Sequence, residues 1–289
     1  PAYTSSGNRT KSYTFSRALP LTMAVGHRFA IVLTTCRISS DMYARSGRFT
    51  MGVSVLPTEV SLQNFSDVVL TRDAQGWLFV RQFINSLVVS LATAAVGLVL
   101  STTAAYALSR WDFPGRDRGM QAFLITQMFP GVVMAIPLYI LLDLCGLLDT
   151  VSGLVLVYAT TSVPFSVWML KGYFDTIPRD LEEAACLDGA TRWVTFTQII
   201  LPLARPALAV TALFSFMTAW NEFILAATVL GDPRSFTLPV VLQRYVSDYG
   251  TEWGHFAAGA VIVSLPVMVL FFALQRHFVE GLTAGSVKG

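Results

Sequence analysis

The chain has 289 residues, 54% of them hydrophobic and 13% charged, and its mean hydropathy is +0.58. Soluble domains carry about 25% charged residues, so the composition excludes an ordinary soluble protein and indicates a membrane protein. A net charge of +2 is too small to predict nucleic-acid binding. The cysteines and histidines are too scattered to form a metal site or an activated nucleophile. They are Cys36, Cys145, Cys186, His27, His255 and His277.

Residues 1–54 form an N-terminal tail whose best candidate for a membrane span, 19–35, is broken by His27 and Arg28. An Arg at the centre of a span costs about 2.5–3.5 kcal/mol on insertion scales. This region therefore predicts at most a degenerate first transmembrane helix, and a misassigned start or reading frame would give the same pattern. Residues 55–81 are predicted to form an extracytoplasmic loop.

Residues 82–289 form the predicted transmembrane core. Four uncharged runs are long enough to cross a hydrocarbon core of about 30 Å as helices: 82–109, 119–142, 150–170 and 256–275. A fifth run, 206–231, is interrupted only by Glu222. The expected fold class is all-α: a polytopic helical bundle of five clear transmembrane helices, with the degenerate N-terminal helix as a sixth and a polar segment, 171–205, between two spans.

Positive charges are distributed unevenly between alternate loops, which predicts the orientation of the chain. The loops after the first and third clear spans, and the segment after the last, carry Arg110, Arg116, Arg118, Lys171, Arg179, Arg192, Arg205, Arg276 and Lys288. The other loops carry only Arg234 and Arg244 among the acids Asp143, Asp149, Asp232, Asp248 and Glu252. The first set of loops and the C-terminus are therefore predicted to be cytoplasmic.

The polar segment is predicted to be a hairpin of two short helices on the cytoplasmic side. Pro178 disfavours helix before it, and Asp180 and Glu183 have the spacing of a capping box. Gly189 follows where a left-handed residue commonly closes a helix, and Thr191 can cap the next one. Such an exposed hairpin is either a docking surface for a cytoplasmic partner or a structural element that binds nothing.

The small side chains of Ala184 and Ala185 favour docking, because they let a partner approach the backbone closely. The motif is Glu183-Ala184-Ala185, three residues, Gly189, nine residues, then Ile199-x-Leu201-Pro202. It resembles the EAA loop of binding-protein-dependent ABC importer permeases. Further matches span about residue 56 to the end and resemble the carbohydrate-uptake branch, in particular the MalG-type maltose/maltodextrin permeases. They lie at 106–110, 113–115, 127–130, 171–174 and 281–289.

The resemblance implies an ABC importer type I permease fold and a set of partners. A second permease subunit would complete the path as a heterodimer, two copies of a cytoplasmic ABC ATPase would receive the loops, and an extracytoplasmic sugar-binding protein would deliver the cargo. ATP would be used by the partner, with no cofactor bound by this chain, which has no Gly-x-x-x-x-Gly-Lys-Ser/Thr phosphate loop. The chain is expected to be a multi-pass protein of the bacterial cytoplasmic (inner) membrane. It is not expected to be an enzyme.

The resemblance also implies site residues. ATPase coupling is expected from Glu182, Glu183, Ala184, Ala185, Asp188, Gly189, Ala190, Ile199, Leu201 and Pro202. A C-terminal ATPase contact is expected from Ala284, Gly285 and Lys288, for which a frayed end is the alternative. Candidates for the sugar pathway or the binding-protein contact are Gln127, Tyr139, Asn221, Glu222, Gln243, Tyr245, Tyr249 and Trp253. Tyr and Trp are also common as anchors at a membrane interface.

Three alternatives remain. A permease of the same architecture would carry trehalose, another oligosaccharide or glycerol phosphate in place of maltodextrin. An ion-coupled secondary transporter would need paired ionisable groups at mid-membrane, and Glu222 stands without a second acid in the clear spans. A membrane-embedded enzyme would need a juxtaposed set of His, Cys, Ser or acids, and the sequence spacing assembles none.

Overall fold

The computed structural model describes residues 62–247 and 250–286, and the side chains of 62–246 and 252–275. The predicted tail 1–54 and the first part of the 55–81 loop lie outside these residues. The described chain is mostly helical, with two short antiparallel strand pairs. Its elements are α1 (Gln63–Val69), β1 (Arg72–Asp73), β2 (Gly76–Trp77), α2 (Leu78–Arg110), α3 (Arg116–Thr126), α4 (Gly131–Leu144), α5 (Val151–Thr176), α6 (Asp180–Leu187), α7 (Arg192–Thr195), a π-helical turn (Phe196–Ile200), α8 (Leu201–Leu203), α9 (Arg205–Trp220), α10 (Ile224–Val229), α11 (Leu238–Arg244), β3 (Val246–Ser247), β4 (Gly250–Thr251) and α12 (Trp253–Ser286).

Three helices are long and apolar enough to cross a membrane unaided: α2, α5 and the Trp253–Gln275 part of α12. Two further crossings require bent pairs. The α3–α4 pair bends by 103°, and the segment Arg192–Leu203 bends by 79° against α9. The described residues thus contain three unbroken candidate spans, or five if each bent pair counts as one span. The predicted number of five is reached only when the bent pairs are counted.

Hydropathy predicted one helix over the run 119–142, and this prediction is wrong. The run contains two helices, because α3 ends at Thr126 and α4 begins at Gly131. Pro130 separates them with φ −59° and ψ 130°, an extended conformation. A proline also disfavours helical backbone in the residue before it, here Phe129. The whole run is uncharged, and this criterion does not reveal the bend.

The run 206–231 also contains a break, between the end of α9 at Trp220 and the start of α10 at Ile224. The half-buried Glu222 carboxylate accepts the backbone N–H of Leu225 at 3.0 Å and that of Ala226 at 3.2 Å. These N–H groups belong to the first turn of a helix, where they lack intrahelical partners. Glu222 therefore satisfies free N–H groups at the start of α10 and stabilises the break between α9 and α10.

Small residues allow α2, α5 and α9 to pack closely around one another. A methyl group added to Gly97 of α2 would lie 3.5 Å from the Ser162 hydroxyl and 3.6 Å from the Ser215 hydroxyl. The Ser166 and Ser215 hydroxyls are 3.3 Å apart. Close approach through small side chains is typical of membrane helices, whose association depends on packing and interhelical hydrogen bonds.

A buried cluster near residues 105–110 joins the ends of α2 and α5 to the polar segment that follows α5. It includes Tyr106 of α2, Leu170 and Phe174 of α5, and Phe196 and Ile200 of the π-helical turn. All five side chains are at most 7% exposed. The hairpin that follows α5 is therefore built directly on the helix ends.

The opposite end of α2 is tied to the loop before α11. The Gln82 side-chain amide donates to the Pro233 carbonyl at 2.8 Å, and the Asn85 amide donates to the Arg234 carbonyl at 2.6 Å. Arg234 also pairs with Asp73 of β1 at 2.8 Å. One helix thus contacts both the hairpin end of the bundle and the loops at its far end.

Candidate functional site

The docking hairpin, defined as residues 180–195, contains α6, a turn at Gly189 and α7. Gly189 has a φ of 83°, in the left-handed region that favours glycine. Its N–H donates to the Cys186 carbonyl at 3.1 Å, and the Ala190 N–H donates to the Ala185 carbonyl at 2.9 Å. These two bonds form a Schellman motif, which satisfies the last carbonyls of α6. The predicted helix stop at Gly189 is confirmed.

The start of α7 also agrees with the sequence. Thr191 has an extended backbone, and its hydroxyl accepts the Val194 N–H at 3.4 Å, as expected of an N-cap. The chain then continues through the π-helical turn rather than one regular helix. Phe196 and Ile200 of this turn are buried, and Trp193 of α7 is 68% exposed.

The predicted capping box at the start of α6 is wrong. The N-cap is Arg179, with helical φ −68° and ψ −24°, and its carbonyl accepts the Glu182 and Glu183 N–H groups. No side chain caps this end. Because the helical turn begins directly after Pro178, Asp180 already lies inside the helix and cannot take the extended cap geometry. The acids remain in the first turn, where the helix dipole favours negative charge.

The inner face of α6 is attached to the end of α2. The Glu182 carboxylate accepts the Tyr106 hydroxyl at 2.9 Å and forms an ion pair with the Arg110 Nε. The Arg110 side chain is 6% exposed and the Glu182 side chain 20%. Ala185, one turn further along α6, is also buried, with 6% of its surface exposed.

Aromatic rings complete this attachment. The Tyr106 ring lies 4.6 Å from that of Phe196 and 5.3 Å from that of Trp111, measured between ring centroids. The Arg192 guanidinium lies over the Trp111 ring at 5.8 Å, within the range of a cation–π contact. Trp111, just after α2, and Phe196 of the π-helical turn therefore both pack against the Tyr106 ring.

The outer face of the hairpin carries large apolar side chains. Leu187 is 90% exposed and Trp193 is 68% exposed, although both belong to a polar segment. A cleft of about 250 Å³ lies between the hairpin and the end of α2 and is lined by Arg110, Arg179 and Arg192 among others. Exposed apolar groups beside charged ones are typical of a protein–protein contact surface.

The predicted coupling residues fall into three groups by exposure. Those with exposed side chains or backbone are Glu183, Ala184, Asp188 and Gly189; those partly buried are Glu182, Ala190, Ile199, Leu201 and Pro202; and Ala185 is buried. The C-terminal residues Ala284 and Gly285 belong to α12, whose side chains are not described there, and Lys288 lies outside the described residues.

The predicted pathway residues are dispersed. The Gln127 amide donates to the Thr161 carbonyl at 3.1 Å, the Asn221 amide donates to the Met217 carbonyl at 2.9 Å, and Tyr139 is 39% exposed. Glu222 serves the start of α10. The described members of the outer set, Gln243, Tyr245 and Trp253, lie on α11, just after it and at the start of α12; Tyr249 lies outside the described residues.

Among the described residues, no group of three or more His, Cys, Asp or Glu side chains could hold a metal ion. Sequence reasoning did not identify Arg110, Tyr106 or Arg179 as parts of the site. Arg110 and Glu182 are 72 positions apart, and neither spacing nor hydropathy relates them. Only the matches at 106–110 pointed to this end of α2, without giving it a role.

Several helices long and apolar enough to cross a bilayer, joined by a polar hairpin that exposes large apolar side chains, define a polytopic membrane protein. Residues 97–283 match the model of the family described as binding-protein-dependent transport system inner membrane component. The chain belongs to this family, whose members are transport permease subunits.

Several characterised relatives extend the similarity beyond the family region. The chain is 40% identical over 265 residues to the maltose/maltodextrin transport system permease protein MalG of Escherichia coli (strain K12), covering 85% of this chain and 87% of that protein. It is 40% identical over 213 residues to the maltodextrin permease MdxG of Bacillus subtilis (strain 168), covering 73% and 77%. It is 38% identical over 244 residues to the galactooligosaccharide permease GanQ of the same strain, covering 84% and 86%.

Solved structures share the fold. A bacterial ABC transporter chain involved in alginate import gives a TM-score of 0.67 at 23% identity, covering 92% of this chain and all of that one. A chain of the MetNI methionine transporter gives 0.58 at 18% identity, covering 73% and 99%. The helical bundle described above is therefore the fold of an ABC importer permease.

Proposed function

We propose that this chain forms, with a second permease, the path by which an ABC importer takes up maltose/maltodextrin-type oligosaccharides. The docking hairpin couples that path to a cytoplasmic ATPase. The observation that carries the proposal is the form of the hairpin: a glycine-closed helix pair, fixed to the bundle on one face, with large apolar side chains exposed on the other. Leu187 at 90% exposed and Trp193 at 68% are the side chains it offers to a partner.

A partner shifts a conformational equilibrium only if it contacts the two conformations differently. Coupling to an ATPase therefore requires a rigid element of the permease that contacts the ATPase. The Schellman motif at Gly189 and the Thr191 cap give the hairpin that rigidity. Glu183, Ala184 and Asp188 are exposed on it and would face the ATPase. Two copies of the ATPase would hydrolyse ATP, one for each permease.

The cargo is proposed from the relatives. Two at 40% identity are named for maltodextrin or maltose transport, and one at 38% for galactooligosaccharides. A fourth, the trehalose permease SugB of Mycobacterium tuberculosis (strain CDC 1551 / Oshkosh), is 36% identical over 237 residues. All four relatives are named for the transport of short sugars. The two with the higher identity, 40%, are those named for maltose or maltodextrin, and they favour maltodextrin as the cargo.

The orientation is also part of the proposal. The end of α2, with Arg110, lies at the docking hairpin, while its other end contacts the loop around Pro233. Cation-rich loops at the hairpin side would place that side and the C-terminus in the cytoplasm. The outer segment around Trp253, which is 45% exposed, would then face the extracytoplasmic sugar-binding protein.

The test is uptake by the complete transporter in proteoliposomes: this chain with a second permease, an ABC ATPase and a sugar-binding protein from the same organism. Labelled maltotriose, trehalose, galactobiose and glycerol 3-phosphate are supplied singly. The expected result is ATP-dependent accumulation of maltotriose ahead of the other three solutes. If another of these solutes accumulates ahead of maltotriose, the chain is still a permease subunit, but the proposed cargo is wrong.

A second outcome would contradict the proposal itself. Uptake by this chain alone, without ATP and abolished by an ionophore that collapses the ion gradient, would identify a secondary transporter.

A further inference from the structure

We infer that Arg110 and Glu182 are positioning residues that lock the docking hairpin to α2, so that hairpin and helix move as one body during transport. The inference rests on the proposed function, because it assigns these residues a part in coupling. It differs from the expectation that Glu182 contacts the ATPase, since the Glu182 carboxylate is directed at Tyr106 and Arg110 of this chain.

Contacts run in both directions between the end of α2 and the corner that links α5 to α6. Arg110 donates through Nη2 to the Ile177 carbonyl at 3.1 Å. In the reverse direction, Arg179 donates through Nη2 to the Ser109 carbonyl at 3.2 Å. The ion pair between Arg110 and Glu182 adds the link to α6. Reciprocal bonds at adjacent positions restrict rotation as well as separation.

The same end of α2 is also bound to α5. The Ser109 hydroxyl donates to the Asp175 carboxylate at 2.6 Å, and the Lys171 ammonium donates to the other oxygen of that carboxylate at 2.6 Å. Residues 109 and 110 therefore bind the last turn of α5, the corner after it and the first turn of α6. No comparable set joins the outer face of α6 to the rest of the described chain.

Burial makes the pair costly to open. The Arg110 side chain is 6% exposed and that of Glu182 20%, so separating them would leave two poorly hydrated charges without their partner. The Tyr106 hydroxyl occupies the second carboxylate oxygen of Glu182. Charge-assisted hydrogen bonds of this kind are stronger and more directional than neutral ones.

Adjacent acids of the motif thus have different surroundings. Side chains at neighbouring helix positions point in different directions, so Glu182 meets α2 while Glu183 is exposed. Glu183 stays available to a partner, and Glu182 holds the helix that presents it.

The attachment gives the hairpin a continuous connection to the far end of the bundle. Helix α2 has 33 residues, a length of about 50 Å at 1.5 Å per residue. At its other end Gln82 donates to the Pro233 carbonyl, and the Ser86 hydroxyl accepts the Leu238 N–H at 2.7 Å. A displacement of the hairpin would reach the loop before α11 through a single helix.

The experiment compares Glu182→Ala, Arg110→Ala, Glu182→Gln, Arg110→Lys and the charge swap Arg110→Glu with Glu182→Arg in the complete transporter. Asp180→Asn is the matched control, because Asp180 is an exposed acid in the same turn of α6. The readout is solute moved per ATP hydrolysed in complexes that retain the ATPase.

We expect the alanine variants to lower this ratio about tenfold, a typical size for coupling between sites. The Gln and Lys variants should give intermediate values, and the swap should recover part of the loss. Unchanged coupling in either alanine variant would overturn the inference. So would loss of the ATPase from the complex, because Glu182 would then act as a docking contact.

A second measurement separates this inference from the proposed function, because it needs no ATPase and no sugar. Spin labels are placed on Thr103 of α2 and Leu187 of α6, both exposed, in the full-length chain in lipid nanodiscs with its native cysteines replaced by serine. A narrow distance distribution should broaden in Glu182→Ala, Arg110→Ala and, less, Glu182→Gln, and not in Asp180→Asn. Unchanged distance distributions in the variants would overturn the attachment of the hairpin to α2, even if sugar transport is confirmed. If the distributions broaden in the variants but the wild-type complex transports no sugar, only the proposed function would be overturned.

Discussion

At the scale of single residues, the contacts of Asp73, in the short strand β1 before α2, change the pKa of its carboxyl. The Gln75 backbone N–H donates to its carboxylate at 2.8 Å, and this bond is the largest cause of a pKa below the ordinary value of Asp73; pairing with Arg234 adds to it. A lowered pKa means that the contact stabilises the folded loop above the ordinary pKa. That contribution is lost as the pH falls through the lowered value.

Arg234→Gln should therefore raise the pKa of Asp73 only part of the way to its ordinary value, because the Gln75 N–H remains. The measurement is a carboxyl ¹³C titration of Asp73 by NMR. Arg244→Gln serves as the control, since Arg244 lies over the Phe236 ring at 4.3 Å and should leave the titration unchanged. Complete return of the pKa in Arg234→Gln would show that the backbone bond contributes nothing.

Residue-level signals in the sequence succeeded where the interaction is local. Gly189 and Thr191 act within a few positions of themselves, and both predictions are confirmed. The capping box failed because its pattern specifies spacing but not the residue at which the helix begins. The Arg110–Glu182 pair was out of reach, since 72 positions separate its members and only the folded bundle brings them together.

At the scale of one element, the turn of the docking hairpin depends on backbone conformation rather than on space. A Cβ at Gly189 would meet no atom within 4 Å, but the φ of 83° costs other residues about 1–2 kcal/mol. Gly189→Val should therefore abolish transport and ATPase coupling while membrane insertion stays normal. Gly172→Val is the matched control, because Gly172 of α5 has the same free space without a positive φ.

The measurements for this prediction are membrane yield, uptake and substrate-stimulated ATP hydrolysis by the assembled transporter. Unimpaired substrate-stimulated hydrolysis in Gly189→Val would show that the hairpin turn has no part in coupling. Equal losses in both valine variants would assign the effect to the added side chain instead of to the backbone.

Hydropathy predicted the helical elements well but not their breaks. The spans appear as long apolar runs, and α2 and α5 coincide with two of them. The bend between α3 and α4 sits at Pro130, within a run that contains no charged residue. Hydropathy measures the preference for lipid over water, and a bent pair of helices satisfies that preference as well as a straight one.

For the whole molecule, the packing of α2, α5 and α9 should be the least tolerant part of the described chain. Gly97→Leu would place a large side chain against the Ser162 and Ser215 hydroxyls and should destabilise the fold by about 1–3 kcal/mol, the usual cost of overpacking. The midpoint of thermal unfolding in detergent, followed by tryptophan fluorescence, measures this. Gly119→Leu on α3 meets open space and is the control; an equal drop there would contradict the packing argument.

The account as a whole depends on the docking hairpin being the contact for the ATPase. The direct measurement is photo-cross-linking in the membrane of intact cells, with a benzophenone amino acid at Leu187 or Trp193 and, as control, at the exposed Leu70 near the far end of the bundle. We expect capture of the ATP-hydrolysing subunit from positions 187 and 193 and not from 70. Capture from position 70 alone, or from none of the three in a transporter that is active, would contradict it.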